Sequence, residues 1–161
     1  MTEQPKKPVQ KALPFKNKHG FTGLPNEIFK LYVSHPQWTA NCLLVYMYLL
    51  HRYNEEWHYA FPSQDTIADN TFIDRRSISG IIKRLEVMEL ITVMYNGDYG
   101  NHVYLLKKPI SNRDEFEERF PEARAKREKF ESKRTVDREG RQKRRADFRE
   151  QVQHSYAEAN Q

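Results

Sequence analysis

The residues of this chain best suited to chemistry lie on one side of a predicted helix that follows Asp74. They are basic or small and recur at helical spacing: Arg76, Ser79, Gly80, Lys83 and, at the edge, Arg84. A basic face with a small residue at its centre can enter a DNA major groove. Arg76 is the first candidate for a base contact, because arginine pairs bidentately with guanine O6 and N7. Glycine costs about 1 kcal/mol in a helix interior, and close approach to DNA or to another helix would explain Gly80.

The opposite side of the same helix is apolar. At positions i, i+3, i+4 and i+7 it carries Ile78, Ile81, Ile82 and Leu85. This spacing is typical of a buried helical face, and Asp74 can cap the helix. A shorter helix precedes it, capped by Ser63 and directed inward through Ile67 and Ala68, and residues 70–73 separate the two. Residues 61–91 are therefore predicted to form a helix-turn-helix.

Residues beside the basic face are expected to contact the phosphate backbone. Arg75 points to the side of that face, so a phosphate is its expected partner. The start of the first helix adds hydroxyl, amide and backbone N–H groups, which can bind phosphate as well. The residues that supply them are Ser63, Gln64 and Thr66.

After residue 90 the apolar spacing changes from helical to alternating. Residues 91–95 and 102–106 are predicted strands, and the Asn-Gly pair within 96–101 is typical of a tight turn. This hairpin has no Lys or Arg between Leu85 and Leu106, and Asp98 at its tip would repel phosphate. Its polar residues can still contact a DNA backbone or minor groove, although a plain hairpin is the alternative. They are Asn96, Tyr99, Asn101 and His102.

A helix-turn-helix followed directly by a hairpin predicts a winged helix. The expected fold class is mainly α with a small β-hairpin, namely a winged helix-turn-helix plus a charged C-terminal helical extension. Two more helices are predicted, one over 24–31 that begins at Pro25 and one over 40–52 capped by Thr39. The second is apolar nearly all round, so the first helix, the C-terminal segment or another subunit must cover its second side. The last option motivates a homodimer.

Composition divides the chain into three parts. Residues 1–22 form a predicted flexible basic arm, 23–110 the winged helix-turn-helix DNA-binding domain, and 111–161 a charged tail that is helical or partly disordered. We expect the tail to break at residues 135–140 and to contact replication or transcription proteins. Its most basic run, 138–149, is either a solvated face or a second phosphate contact. The residues expected to make that contact are Arg141, Lys143, Arg144 and Arg145.

Several classes of protein find no support in the sequence. The 161 residues carry a net charge of +5, and no apolar run reaches the roughly 18–20 residues that span a membrane. The one cysteine, Cys42, cannot form an intrachain disulfide and is expected to be a small core residue. The lack of a disulfide, together with the lack of a secretory signal, predicts a cytoplasmic protein. No paired metal-ligand motif, glycine-rich phosphate loop or nucleophile elbow occurs, so no enzyme, metal or cofactor is expected.

Segments across residues 24–107 carry a family resemblance. LPNEIF at 24–29, FPSQDTIA at 61–68 and DRRSISGIIKRLEVMELI at 74–91, with the hairpin, resemble the N-terminal winged-helix domains of plasmid and phage replication initiators and DnaD-type replisome organisers. The resemblance implies sequence-specific binding of double-stranded DNA, in replication initiation or in transcription or partition control. Where that family has a glycine in the turn, this chain has Asn70, Thr71 and Phe72, and Asn70 is expected to be left-handed. A non-enzymatic protein-interaction adaptor on the same scaffold is the alternative.

Overall fold

A computed structural model describes residues 13–97 and 101–159 of the chain. In chain order its elements are α1 (Asn26–Lys30), a 3₁₀ turn (Tyr32–Ser34), α2 (Ala40–His51), α3 (Gln64–Thr71), α4 (Arg75–Val87), β1 (Ile91–Asn96), β2 (Asn101–Leu106), α5 (Arg113–Arg119) and α6 (Pro121–Ala159). The predicted fold class is confirmed: helices dominate, and a winged helix-turn-helix carries a charged helical extension. In the described part of the chain, no helix is long and apolar enough to cross a membrane.

Local capping explains where the helices of the domain begin. Thr39 caps α2, Ser63 caps α3 and Asp74 caps α4, each with a side-chain oxygen that accepts a first-turn backbone N–H at 2.8–3.2 Å. These bonds satisfy donors that have no partner inside the helix. All three caps agree with the sequence prediction. The helix predicted to begin at Pro25 is also present, with Pro25 as the residue just before α1.

The core lies where α4 packs against α2 and α3. The four apolar residues of α4 are all buried, as their spacing predicted: Ile78, Ile81, Ile82 and Leu85. Residues of α2 face them: Cys42, Val45, Tyr46 and Leu49. Cys42 is fully buried, which confirms its predicted place in the core. The far side of α2 is more open, because Leu44 remains 45% exposed.

The hairpin is antiparallel and docks on the segment that leads into α3. Its register pairs Ile91 with Leu106 at one end and Asn96 with Asn101 at the other. The Tyr104 N–H donates to the Ala60 carbonyl at 2.8 Å, and the Ala60 N–H donates to the Tyr104 carbonyl at 3.0 Å. These two bonds fix the wing beside the start of α3. Both strands lie within one residue of their predicted limits.

The turn between α3 and α4 differs from the prediction. Asn70 lies within α3, where its side-chain amide donates to the Thr66 carbonyl at 2.8 Å. Phe72 takes the left-handed conformation instead, with φ of 56°, and its side chain is 96% exposed. The expectation for Asn70 was therefore wrong. Buried Thr71 continues the helix past Asn70, and half-buried Ile73 must return to the core, so the chain reverses at Phe72.

The C-terminal extension begins as part of the core. Phe116, Phe120 and Ala123 are buried, and the Phe116 ring lies 4.8 Å from the ring of Tyr32. α5 ends before Phe120, because the residue preceding Pro121 disfavours helical backbone, whereas proline suits the first position of α6. The break predicted at 135–140 was wrong, since α6 runs through it as one helix of 39 residues.

The two ends of the described chain differ in structure. Residues 13–22 contain no helix or strand, and the remainder of the predicted arm lies outside the described residues. Beyond Arg127 every described residue of α6 is exposed except Gly140, which is half-buried. The long helix is thus held at its start and projects from the domain.

Candidate nucleic-acid interface

The outward face of α4 is held in place by the core beneath it. Ile78 and Leu85 are fully buried, so rotation of the helix would expose them to water. All five residues predicted for base or groove contact are exposed on the other side: Arg76, Ser79, Gly80, Lys83 and Arg84. The structure therefore brings these five together on one rigid surface, which we call the α4 face.

Arg75 and Arg76 are neighbours with different surroundings. The Arg75 Nε donates to Asp65 Oδ1 at 2.5 Å, and its Nη1 donates to Gln64 Oε1 at 2.7 Å, which ties α4 to α3. In residues 13–97 and 101–159, no carboxylate lies within 4.0 Å of the Arg76 guanidinium. The side-chain donors of Arg76 are therefore available to a partner outside the chain.

Gly80 faces open space at the centre of the α4 face. A side-chain carbon built at this position would meet no atom within 4 Å, so no neighbouring helix requires the glycine. Alanine would stabilise an exposed helix interior by about 1 kcal/mol relative to glycine. The sequence offered two explanations for Gly80. Among the described residues no other helix approaches it closely, so close approach of an external partner is the explanation that remains.

A shallow groove separates the α4 face from the start of α2. Thr39 and Asn41 line one wall, while Arg76, Ser79, Gly80 and Arg84 line the other. Asn41 is exposed, and its amide can both donate and accept hydrogen bonds. Asn41 was not predicted from the sequence, because the spacing of apolar residues in α2 does not show which other helix lies beside Asn41.

The predicted phosphate contacts at the start of α3 are already hydrogen-bonded within the domain. Ser63 Oγ accepts the Thr66 N–H and lies 2.8 Å from the Thr66 hydroxyl. Gln64 holds Arg75 through its carbonyl oxygen. The structure thus uses Ser63 and Thr66 to cap α3, and Gln64 to join α3 to α4.

Only part of the predicted wing contact falls within the described residues. Asn101 is exposed and His102 is half-buried, with its ring 5.5 Å from that of Tyr95. Tyr99 and the side chain of Asn96 lie outside the described part of the structure. Tyr95, which was not among the predicted contacts, is 65% exposed on the same hairpin. In a strand where polar and apolar residues alternate, the sequence alone does not distinguish an exposed aromatic residue from one in the core.

The tail residues occupy a different part of the molecule. Among the described helices and strands, α6 contacts only α5 and the 3₁₀ turn, so its arginines are not brought into the α4 face. All four predicted tail contacts are exposed along α6: Arg141, Lys143, Arg144 and Arg145. The described residues also contain no group of three or more His, Cys, Asp or Glu side chains arranged to hold a metal ion.

Comparison with known proteins matches the part of the chain that contains the α4 face. Residues 39–91, which include α2, α3 and α4, match a family model described as a helix-turn-helix domain. A solved structure titled "N-Terminal domain of DNA binding protein" is 20% identical, covers 66% of this chain and 92% of its own, and has a TM-score of 0.49. No curated protein matches the chain. The helix-turn-helix prediction is confirmed, whereas neither description mentions replication initiators or replisome organisers.

Proposed function

We propose that this protein binds double-stranded DNA sequence-specifically, with α4 in the major groove. The observation that carries the proposal is the α4 face, where unpaired Arg76 and exposed Lys83 flank a glycine that faces nothing in the described chain. A helix with these properties suits a groove whose walls are phosphates and whose floor displays hydrogen-bond acceptors. The match of residues 39–91 to a helix-turn-helix domain supports it further.

Each residue has a proposed role. Arg76 in the first turn pairs with a guanine, and Ser79 and Lys83 contact neighbouring bases. Gly80 allows the helix backbone to approach the groove floor. Arg75 uses the nitrogen that Asp65 and Gln64 leave unused to meet a phosphate. Backbone contacts are proposed for the remaining flanking residues: Ser63, Gln64, Thr66, Arg84, Asn96, Tyr99, Asn101 and His102.

The wider role rests on the family resemblance. The segments at 24–29, 61–68 and 74–91 support a non-enzymatic, cytoplasmic protein of a plasmid- or phage-type element that acts in replication initiation, or in transcription or partition control. A homodimer is proposed because Leu44 leaves an apolar position of α2 exposed. Light scattering at tens of micromolar tests the dimer, and a monomer mass would contradict it.

The proposal is tested by selecting duplexes from a random-sequence pool with the full chain and titrating the enriched sequence in gel-shift assays. Arg76→Ala should weaken cognate binding by about 1–3 kcal/mol and relax the preference at one base pair. Arg75→Ala is the matched control, because it removes the adjacent arginine whose guanidinium is bound to Asp65. It should keep the sequence preference.

Two outcomes would overturn the proposal. If no sequence is enriched at about 150 mM salt, the chain lacks cognate preference. The protein-interaction adaptor then becomes the better interpretation, and the wing without Lys or Arg favours that alternative. If a sequence is enriched but Arg76→Ala leaves its affinity unchanged, the α4 face is not the recognition surface.

A further inference from the structure

The projecting part of α6 gathers arginines on one side. At 100° per residue, four arginines fall within an arc of about 60°: Arg134, Arg138, Arg141 and Arg145. The opposite side mixes both signs, with Glu139, Asp147 and Glu150 beside Lys129 and Lys143. Sequence composition showed only a mixed charge run, and the continuity of the helix is what aligns the four arginines.

The four arginines differ from those at the start of the same helix. Arg124 pairs with Glu128, and Arg127 pairs with Glu117 and Glu131, at distances of 2.5–2.9 Å. In residues 13–97 and 101–159, by contrast, no carboxylate lies within 4.0 Å of the four guanidinium groups further along. We call this exposed set, Arg134 to Arg145, the arginine stripe.

We propose that the arginine stripe binds the phosphate backbone of duplex DNA. The inference rests on the proposed function, and it names a second contact surface for the same ligand. Two copies of the chain would not pair stripe to stripe, because this would bring like charges together. A polyanion suits this surface, since every charge of the stripe finds an opposite partner.

The dimensions of the stripe fit this ligand. Its ends are 11 residues apart, which is about 16 Å along a helix, and one strand of a duplex places a phosphate at every 3.4 Å of axis. The start of α6 is fixed by buried Ala123 and by the Lys126 ammonium, which donates to the His35 carbonyl at 3.2 Å. The stripe is therefore presented as one straight unit that contacts phosphates and reads no bases.

The basic residues of the tail differ in their position relative to the stripe. Arg141 and Arg145 belong to the stripe, and Arg144 lies at its flank. Lys143 lies on the opposite side of α6, near Glu139 and Asp147 in the helical projection. Of the four tail residues expected to contact phosphate, we therefore assign the contact to the arginines and exclude Lys143.

Matched double variants of the full chain test this assignment. Arg141→Gln with Arg145→Gln removes two charges from the stripe, and Lys129→Gln with Lys143→Gln removes two charges from the opposite side. Affinity for a random-sequence duplex is measured between about 50 and 200 mM salt, where the plot of log K against log salt falls by about 0.9 per phosphate contact. The stripe variant should have a slope shallower by about 1.8, whereas the control should keep the wild-type slope.

Every other result counts against the proposal. Equal slope changes in both variants would indicate a general charge effect, and no change in either would exclude the contact. A loss confined to a single-stranded oligonucleotide of the same length would assign the stripe to another ligand. Failure of the α4 proposal is distinguishable, because selection would then enrich no sequence while the stripe variant still showed its shallower slope.

Discussion

The α4 face and the arginine stripe are both exposed, basic helical surfaces, yet they are supported in opposite ways. Beneath the α4 face lie four buried residues that join three helices. Beneath the stripe there is no core, since the described residues of α6 beyond Arg127 are exposed apart from half-buried Gly140. Reading base edges requires side chains held within a fraction of an ångström, whereas attraction to phosphates requires only charge. The support beneath each surface thus matches the contact proposed for it.

Core truncation should give the largest difference between the two helices. Ile78→Ala should lower the free energy of unfolding by about 2–5 kcal/mol, because it removes a fully buried side chain and leaves a cavity. Phe148→Ala should change it by less than about 0.5 kcal/mol, because Phe148 is 66% exposed. Denaturant titration followed by tryptophan fluorescence measures both. A cost above about 1 kcal/mol for Phe148→Ala would mean that the far part of α6 packs on the domain.

Two mid-helix glycines allow a subtler comparison. Gly80→Ala should stabilise the fold by up to about 1 kcal/mol and yet weaken cognate DNA binding, because the new methyl group projects from the α4 face. Gly140→Ala should raise the helix content of α6 without weakening duplex binding, since its methyl group would meet only the movable end of Arg144 at 3.4 Å. Thermal denaturation, circular dichroism and gel shifts give the readouts. Unchanged cognate affinity in Gly80→Ala would mean that the α4 backbone does not approach the bases.

Acidification should weaken the attachment of α6. His35 is fully buried, and its burial lowers its pKa. The Glu122 carboxylate 3.3 Å away raises this pKa in part, and the charge of Lys126 lowers it further. The Gln37 N–H donates to His35 Nδ1 at 3.1 Å, which holds the neutral ring. With a folded pKa below the unfolded value of 6.5, the unfolded chain takes up the proton first. The stabilisation from His35 is therefore complete above pH 6.5 and is lost as the pH falls below it.

The measurement is the free energy of unfolding between pH 8 and about 5.5. His35→Phe should flatten its pH dependence, and His154→Gln on the exposed end of α6 is the control. Glu89 and Glu117 have lowered pKa values because Arg119 and Arg127 bind them, so their contributions are lost only below the ordinary glutamate range. An equal slope in wild type and His35→Phe would show that this histidine does not control the attachment.

Local rules account for what the sequence predicted correctly. Capping by Thr39, Ser63 and Asp74 depends on residues within one helical turn, and the buried side of α4 and the hairpin depend on spacing alone. The missed features depend on distant residues. The Arg75–Asp65 contact joins two helices, and continuity of α6 through Gly140 is decided along the whole helix. Phe72 is left-handed because Thr71 and Ile73 must both pack inward, which turn propensity does not encode.

The attachment of α6 also has a mechanical consequence. With 39 residues the helix is about 58 Å long, and the contacts that fix it lie within its first seven residues. Any rotation of the remainder would have its fulcrum there, where the ring of His35 lies 5.0 Å from the ring of Phe120. A rotation of about 10° at that fulcrum carries the tip through about 10 Å, which is the rise of about three base pairs. A shift in packing at buried His35 would therefore displace the far end of α6 by a distance comparable with the spacing of base pairs.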